Sequence, residues 1–227
     1  MKISYITLFP EFYNGFKDTS IIKKAIDNGY VTMEFINFKD YVKKGRVDDK
    51  IVGGGQGNLI RYDVASDALN SIRTNKSRVI LLTPRGKQFD QSIAKELAKE
   101  EEIVFVCPHF EGIDERIVSE VDDCLSIGDY ILTGGEMASI VISDSVIRLV
   151  EGVINKESLS EETFNNNLLE YEQYALPRSY NGKDIPSIYF SGNHKAIKEY
   201  RLNDSIELTK KNRPDLYQKY SSGEEEK

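Results

Sequence analysis

The chain has 227 residues, of which 40% are hydrophobic and 30% charged, and its formal net charge is −7. That length allows one large domain or one medium and one small, and the apolar fraction excludes a globally disordered chain. No apolar run reaches the roughly 18 residues that a membrane span needs, and the overall acidity argues against a non-specific nucleic-acid coat.

The charge is unevenly divided. Residues 1–177 carry 20 basic and 29 acidic side chains, whereas 178–219 carry 9 basic against 5 acidic. A basic C-terminal stretch on an acidic body suits either a phosphate-contacting surface or a solvated helix face. The two cysteines, Cys107 and Cys124, lie among bulky apolar residues with no export signal before them, which reads as a reduced, cytoplasmic protein.

In chain order, "ISYITLF" reads as a strand and "TSIIKKAIDNG" as a helix started by Thr19 or Ser20 and stopped by Gly29. "VTMEFINF" alternates as a second strand. A polar, glycine-rich loop, "KKGRVDDKIVGGGQGN", precedes the helical "VASDALNSIRT". "RVILLTP" and "EEIVFVCP" are continuous apolar strands around the helix "QSIAKELAKE". "DERIVSEV" forms a short helix and "ASIVISDSVIRLVEG" a longer one. Continuous apolar strands alternating with helices predict an α/β fold with a largely parallel sheet.

From about Glu157 the acidic, Asn-rich "NKESLSEETFNNNLLEYEQY" lacks a sustained apolar face and reads as a linker. Beyond it a basic helical segment is interrupted by Pro214. The boundaries are one domain over 1–155, a linker over 156–176, a small helical domain over 177–220 and a disordered tail over 221–227.

Several chemistries are excluded by spacing. The run "GGGQG" (53–57) is followed by Asn58 and Leu59 rather than Lys-Ser/Thr, and it does not follow a buried strand. Neither a P-loop nor a dinucleotide fingerprint fits. Cys107, His109, Cys124 and His194 lack the paired spacing of a zinc site, and no serine sits in a nucleophile elbow.

One stretch does not read as ordinary core. "SIGDYILTGGE" (126–136) has the apolar content of a strand, yet Asp129 interrupts it and Gly128, Gly134 and Gly135 bracket it. Read together with "FEGIDER", "VDDKIVGGGQG" and "FSGNH" in the same chain, it closely resembles the bacterial tRNA (guanine-N1)-methyltransferases that modify guanosine 37, members of the SPOUT superfamily. "ITLFPEFY" and "DSVIRLVEGV" fit the same family, and the likeness spans roughly residues 1–215.

The resemblance implies a SPOUT-type sheet with a deep trefoil knot whose loops hold S-adenosylmethionine, plus a small C-terminal helical domain that binds tRNA. It implies cofactor contacts at Leu81, Leu82, Thr83 and Pro84, then at Pro108, Phe110 and Glu111. Ser126, Ile127, Gly128, Tyr130, Leu132, Gly134 and Gly135 complete the set. On this reading a side chain at Gly134 or Gly135 would enter the adenosine pocket. Substrate contacts fall on Asp48, Gly57, Lys195, Lys198 and Arg201. A homodimer is implied, with no membrane partner, and Mg2+ is a further candidate cofactor.

Guanine N1 carries a proton near neutral pH, so methylation there needs a base to remove it and a cation to hold charge at O6. The resemblance puts the base at Glu162 and the cation at Arg148. The chain departs from the family pattern in several places. It has Glu162-Thr163-Phe164 for Asp-Ser-Phe and Pro108-His109-Phe110 for Gly-Arg-Tyr. It also has Gln56 within the glycine run and Asn58 directly after it, "GGGQGN" for "GGGPGM", and Ala175-Leu176 in place of a Thr-Arg pair. The expected activity is N1-methylation of guanosine 37. The alternative is a divergent SPOUT member that binds S-adenosylmethionine or RNA but methylates weakly or acts on another RNA.

Overall fold

The computed structural model describes residues 1–155, 163–164 and 166–223. The chain divides into two compact units, Met1–Ile154 and Asn155–Lys227.

The first unit is built on a five-stranded sheet in the order β2-β1-β6-β5-β7. Its strands are β1 (Lys2–Thr7), β2 (Thr32–Asn37), β5 (Ser77–Gln88), β6 (Glu102–Val106) and β7 (Asp123–Ser126). Every pairing in it is parallel, as the unbroken apolar runs require of strands buried on both faces.

Two cores flank the sheet. Ile3, Tyr5, Ile80, Leu82, Ile103 and Phe105 face α2 (Ser20–Asp27), α4 (Gln91–Leu97) and α5 (Glu136–Ile147). Ile6, Val79, Leu81, Val104 and Val106 face α3 (Tyr62–Ile72) and the 3-10 turns Phe38–Tyr41 and Glu115–Glu120. This unit is thus a three-layer α/β/α arrangement, with side chains alternating across the sheet at the period of two that strands impose. The remaining short helix, α1 (Asn14–Lys17), leads into α2.

Two local features prepare the site. β5 pairs with β7 through Leu82 opposite Leu125, departs over residues 83–86, and returns with Lys87 opposite the same Leu125. The excursion lies flat on β7: a Cβ at Gly86 would sit 2.5 Å from the Cys124 carbonyl carbon and the Leu125 nitrogen. Only glycine permits that approach. Within the glycine-rich loop, β3 (Asp48–Lys50) and β4 (Asn58–Ile60) form an antiparallel hairpin, which low β-propensity hid from sequence reading.

The second unit contains a small hairpin of β8 (Ser179–Tyr180) and β9 (Lys183–Asp184), the 3-10 turn Ser187–Phe190, and two helices. The helix α6 (His194–Asn212) begins where the Asn193 side chain accepts a hydrogen bond from the Ala196 N–H at 3.1 Å. The helix α7 (Pro214–Ser222) starts with proline in its first turn and ends on Gly223 at φ 71°, the two terminal residues helices favour. Ser221 and Ser222 therefore belong to α7 rather than to a disordered tail.

The expected linker also differs in its described part. The Leu169 N–H donates to Thr209 Oγ1 at 2.8 Å and the Glu172 N–H to Asp204 Oδ2 at 2.6 Å. These residues dock on α6 and are part of the second unit. A segment without an apolar face can pack this way because its own backbone donors supply the attachment.

Candidate functional site

A cleft of about 260 Å3 opens where β5 departs from β7 after Leu82 and beyond the C-terminal ends of β6 and β7, on the side where parallel α/β sheets place their ligand crevices. Leu82, Thr83 and Pro84 supply one wall, and Pro108, Phe110 and Glu111 a second. The third wall is the stretch 126–135, which is loop rather than strand after Ser126. Tyr130 and Ile131 are 54% and 81% exposed there. The apolar residues that suggested a strand form the rim and lining of a cavity instead.

The floor is a zipper between two chain segments. His109 bridges both Gly112 and Gly134, and the Gly135 N–H donates to the Pro108 carbonyl at 2.8 Å. A Cβ on Gly135 would lie 2.8 Å from Cys107 Cα, and one on Gly134 would lie 2.3 Å from Glu136 Oε2 and 2.7 Å from His109 Nδ1. The paired glycines are therefore required by close packing beneath the cleft. This corrects the expectation that a side chain there would fill the adenosine pocket.

Helix α5 carries this floor and is pinned to the sheet by hydroxyls. Tyr5 OH meets Ser143 Oγ and Tyr13 OH meets Ser139 Oγ, each at 2.7 Å. Thr7 Oγ1 donates to the buried Glu136 carboxylate at 2.7 Å, which sits in the first turn of α5, where the helix dipole favours negative charge. Burial pushes the Cys107 thiol up to about 12, so it stays protonated at neutral pH and is no nucleophile. Phe110 holds φ 59° at 46% exposure. A left-handed bulky residue costs on the order of 1–3 kcal/mol and persists where neighbours impose it, often at binding sites.

The sequence-derived residues fall into place unevenly. All the expected cofactor contacts line the cleft except Leu81. Leu81 is 2% exposed in the opposite core, because neighbours on a strand point to opposite faces and Leu82 already faces the α5 side. His109, Leu125, Thr133 and Ala138 also line the cleft. His109 is readable from sequence only as an odd residue between Pro108 and Phe110; its Nδ1 is buried without a hydrogen-bond partner, and its ring meets those of Phe9 and Phe110 edge-on.

The glycine run reaches the cleft through Glu111. Gly57 has φ 77°, and a Cβ there would sit 2.3 Å from Glu111 Cγ. The hairpin is stitched to the same loop by Glu111 N–H to Asn58 O at 3.1 Å and Ile60 N–H to Gly112 O at 3.0 Å. Asp48 is turned inward, its side chain 2% exposed, accepting from Arg46 Nε at 3.0 Å and Nη2 at 3.1 Å and from Asn58. The Arg46 guanidinium holds the Asp48 carboxyl below the usual carboxylate range. In this arrangement Asp48 anchors the hairpin.

Arg148 caps the C-terminal end of α5 and is partly buried. It lies thirteen residues beyond Gly135 along the helix, about 20 Å from the cleft floor at 1.5 Å per residue. Lys195 and Lys198 lie exposed on the first turns of α6, while Arg201 is partly buried against Tyr171 and Tyr189. Glu162 and its neighbour Glu161 lie outside the described residues. No group of three or more His, Cys, Asp or Glu side chains is arranged to hold a metal ion among the described residues, so no step is assigned to Mg2+. No helix among them is long and apolar enough to cross a membrane.

The tRNA (Guanine-1)-methyltransferase TrmD family model matches residues 1–219. The chain is 48% identical over 222 residues to the tRNA (guanine-N(1)-)-methyltransferase of Malacoplasma penetrans, covering 97% of this chain and 98% of that protein. It is 46% identical to the protein of the same name from Treponema denticola, over 96% of this chain and 91% of that one. The Clostridium beijerinckii counterpart is 47% identical over 100% of this chain and 96% of its own length.

Proposed function

The chain belongs to the tRNA (guanine-1)-methyltransferase family and is a guanine-N1 methyltransferase of tRNA; from this premise we propose that it methylates guanosine 37 with S-adenosylmethionine bound in the cleft. The observation that carries the reading is the cleft itself, apolar on its walls and edged by backbone groups of three loops. Adenine suits such walls, with backbone N–H and C=O groups reading its edge. Bound there, S-adenosylmethionine supplies a methyl group on a positively charged sulfur. Glu111 is the carboxylate lining the cleft and complements that charge. Identity near 47% along the whole length does not favour the alternative of a weakly methylating binder.

Glu162 takes the proton from guanine N1, freeing the lone pair that forms the new N–C bond as the donor's S–C bond breaks. Arg148 holds the negative charge that gathers on O6. The roughly 20 Å between Arg148 and the cleft floor along α5 supports a homodimer in which the partner subunit completes the site. The composition of α5 points the same way. Its outward positions include Met137 and Val141, 47% and 44% exposed one turn apart, and neighbouring exposed apolar side chains suit a surface that a partner covers. A deep trefoil knot accounts for the excursion of 83–86 pressed against the backbone of β7. The cytoplasm, where tRNA is processed, is the compartment that fits.

The test is transfer of a labelled methyl group to unmodified tRNA bearing guanosine or adenosine at position 37. Transfer to the first alone is expected; equal labelling of both, or of neither, would overturn the assignment. Sedimentation showing a monomer that binds S-adenosylmethionine normally would overturn the dimer.

A further inference from the structure

A second groove, of about 270 Å3, lies wholly within the C-terminal unit. Its walls are Tyr171, Tyr174, Leu176, Tyr189 and Phe190, with Arg201 among them. We propose that this groove receives one unpaired base of the tRNA, clasped by the aromatic rings and hydrogen-bonded by Arg201. The proposal rests on tRNA being the substrate.

Three observations point to a base. The first is Arg201, whose guanidinium carbon lies 4.5 Å from the Tyr171 ring centre and 5.7 Å from that of Tyr189. It is thus held by ring faces, and its Nε is buried without a hydrogen-bond partner. A guanidinium carries five donors and suits a planar acceptor-bearing edge such as a base.

The second is that the rings are fixed before any ligand arrives. Tyr189 OH donates to the Glu172 carbonyl at 3.2 Å, and Tyr174 OH donates to the Glu172 carboxylate, which pushes the Tyr174 hydroxyl pKa up to about 12. The Tyr174 and Tyr189 rings stand 5.5 Å apart at 57°, and Arg178 lies 3.8 Å over the Phe190 ring. Pinned hydroxyls leave ring faces available for stacking at low entropic cost.

The third is charge. Glu172 borders the groove, and its N–H is bound by the Asp204 carboxylate. The Glu172 carboxylate on the groove wall disfavours a phosphate there, whereas a neutral base meets no such repulsion. Phosphates suit Lys195 and Lys198 instead, on the first turns of α6. The sequence reading gives Arg201 the same role as those lysines; the groove gives it a different one.

The two roles separate by salt dependence. Removing one phosphate-binding cation flattens the log–log salt slope of tRNA binding by nearly one, whereas removing a base-binding group lowers affinity at every salt concentration alike. With full-length protein, Arg201→Gln and Tyr174→Leu are each expected to raise KM for tRNA about tenfold. Affinity for S-adenosylmethionine and the salt slope should stay as in wild type. The double variant Lys195→Gln/Lys198→Gln should flatten the slope. Transcripts carrying 4-thiouridine or 6-thioguanosine should crosslink to peptides containing Tyr174 or Phe190. Tyr174→Leu keeps the charge, so it tests the groove should Arg201→Gln fail to fold. Wild-type KM in both variants, or a slope flattened by Arg201→Gln, would overturn the base site while leaving the methyltransferase reading intact. Failure of wild type to methylate any guanosine-37 tRNA would overturn that reading and this inference with it.

Discussion

The first unit buries apolar side chains on both faces of a five-stranded sheet. The second buries Ser205, Thr209 and Asn167, with Leu216 the one large apolar side chain fully buried among its described residues. Dense apolar packing fixes positions to fractions of an ångström and tolerates little change. A unit held by backbone-to-hydroxyl hydrogen bonds and ring contacts has a smaller reserve of stability, but it keeps polar and aromatic groups at the surface for recognition. On the proposed function, cofactor holding falls to the unit that cannot yield and RNA reading to the unit that can.

The sharpest way to test that division lies at Glu162. Glu162→Gln should reduce methyl transfer by roughly 10²- to 10⁴-fold, the usual loss with a general base, and leave S-adenosylmethionine affinity at its wild-type value in calorimetry. Glu162→Asp should keep activity. If Glu162→Gln and Glu161→Gln, alone and combined, turn over like wild type, the second unit contributes no base and the division of labour is wrong.

Next in size is Gly135→Val. Its Cβ would fall 2.8 Å from Cys107 Cα and 3.1 Å from Pro108 Cδ, and backbone cannot give way as a side-chain tip can. Overpacking of this kind costs about 1–3 kcal/mol or more, read as a lower denaturant midpoint. A variant of wild-type stability that has lost only S-adenosylmethionine would return the glycine to the ligand's side of the cleft.

In the second unit, Thr209→Val keeps shape but removes the oxygen that accepts from the Leu169 N–H and donates to the Ser205 carbonyl at 2.6 Å. A buried donor left unmatched costs about 1–3 kcal/mol. Faster proteolysis between residues 155 and 176, with the first unit intact, is the expected result. Loss of both units together would show that they unfold as one.

The smallest effect is in acid. The Arg46 and Arg116 guanidiniums hold Asp48 and Asp114 below their usual value of 3.8. Groups so lowered contribute stability that is complete above 3.8 and lost as pH falls through their folded values. Asp48→Asn should remove part of the acid limb of the unfolding curve; an unchanged limb would show that the Arg46 pairing contributes nothing to folding.

How much of this the residues disclose by themselves depends on whether a feature is local. β5 and β6 are continuous apolar runs and readable as such, and α4 is readable in "QSIAKELAKE"; its start at Asp90, whose side chain accepts from the Ile93 N–H at 3.0 Å, emerges only from the structure. The cleft loops are legible through family likeness, and their glycines through density alone. What those glycines touch is not legible, because Gly135 packs on Cys107 and Gly57 under Glu111, far along the chain. The groove around Arg201 is hidden for the same reason. Half of it comes from a segment whose composition reads as a solvated linker, and Tyr171 meets Arg201 only once that segment docks on α6.

Cys107 sits beneath this zipper of loops at 0% exposure, with its thiol proton held tightly, whereas Cys124 on β7 is only partly covered. The enzyme therefore carries two native clocks of its own opening. A thiol reagent should mark Cys124 during small local excursions and Cys107 only when the cleft floor parts. Slower marking of Cys107 when S-adenosylmethionine is added would report how firmly an occupied cleft is locked from below.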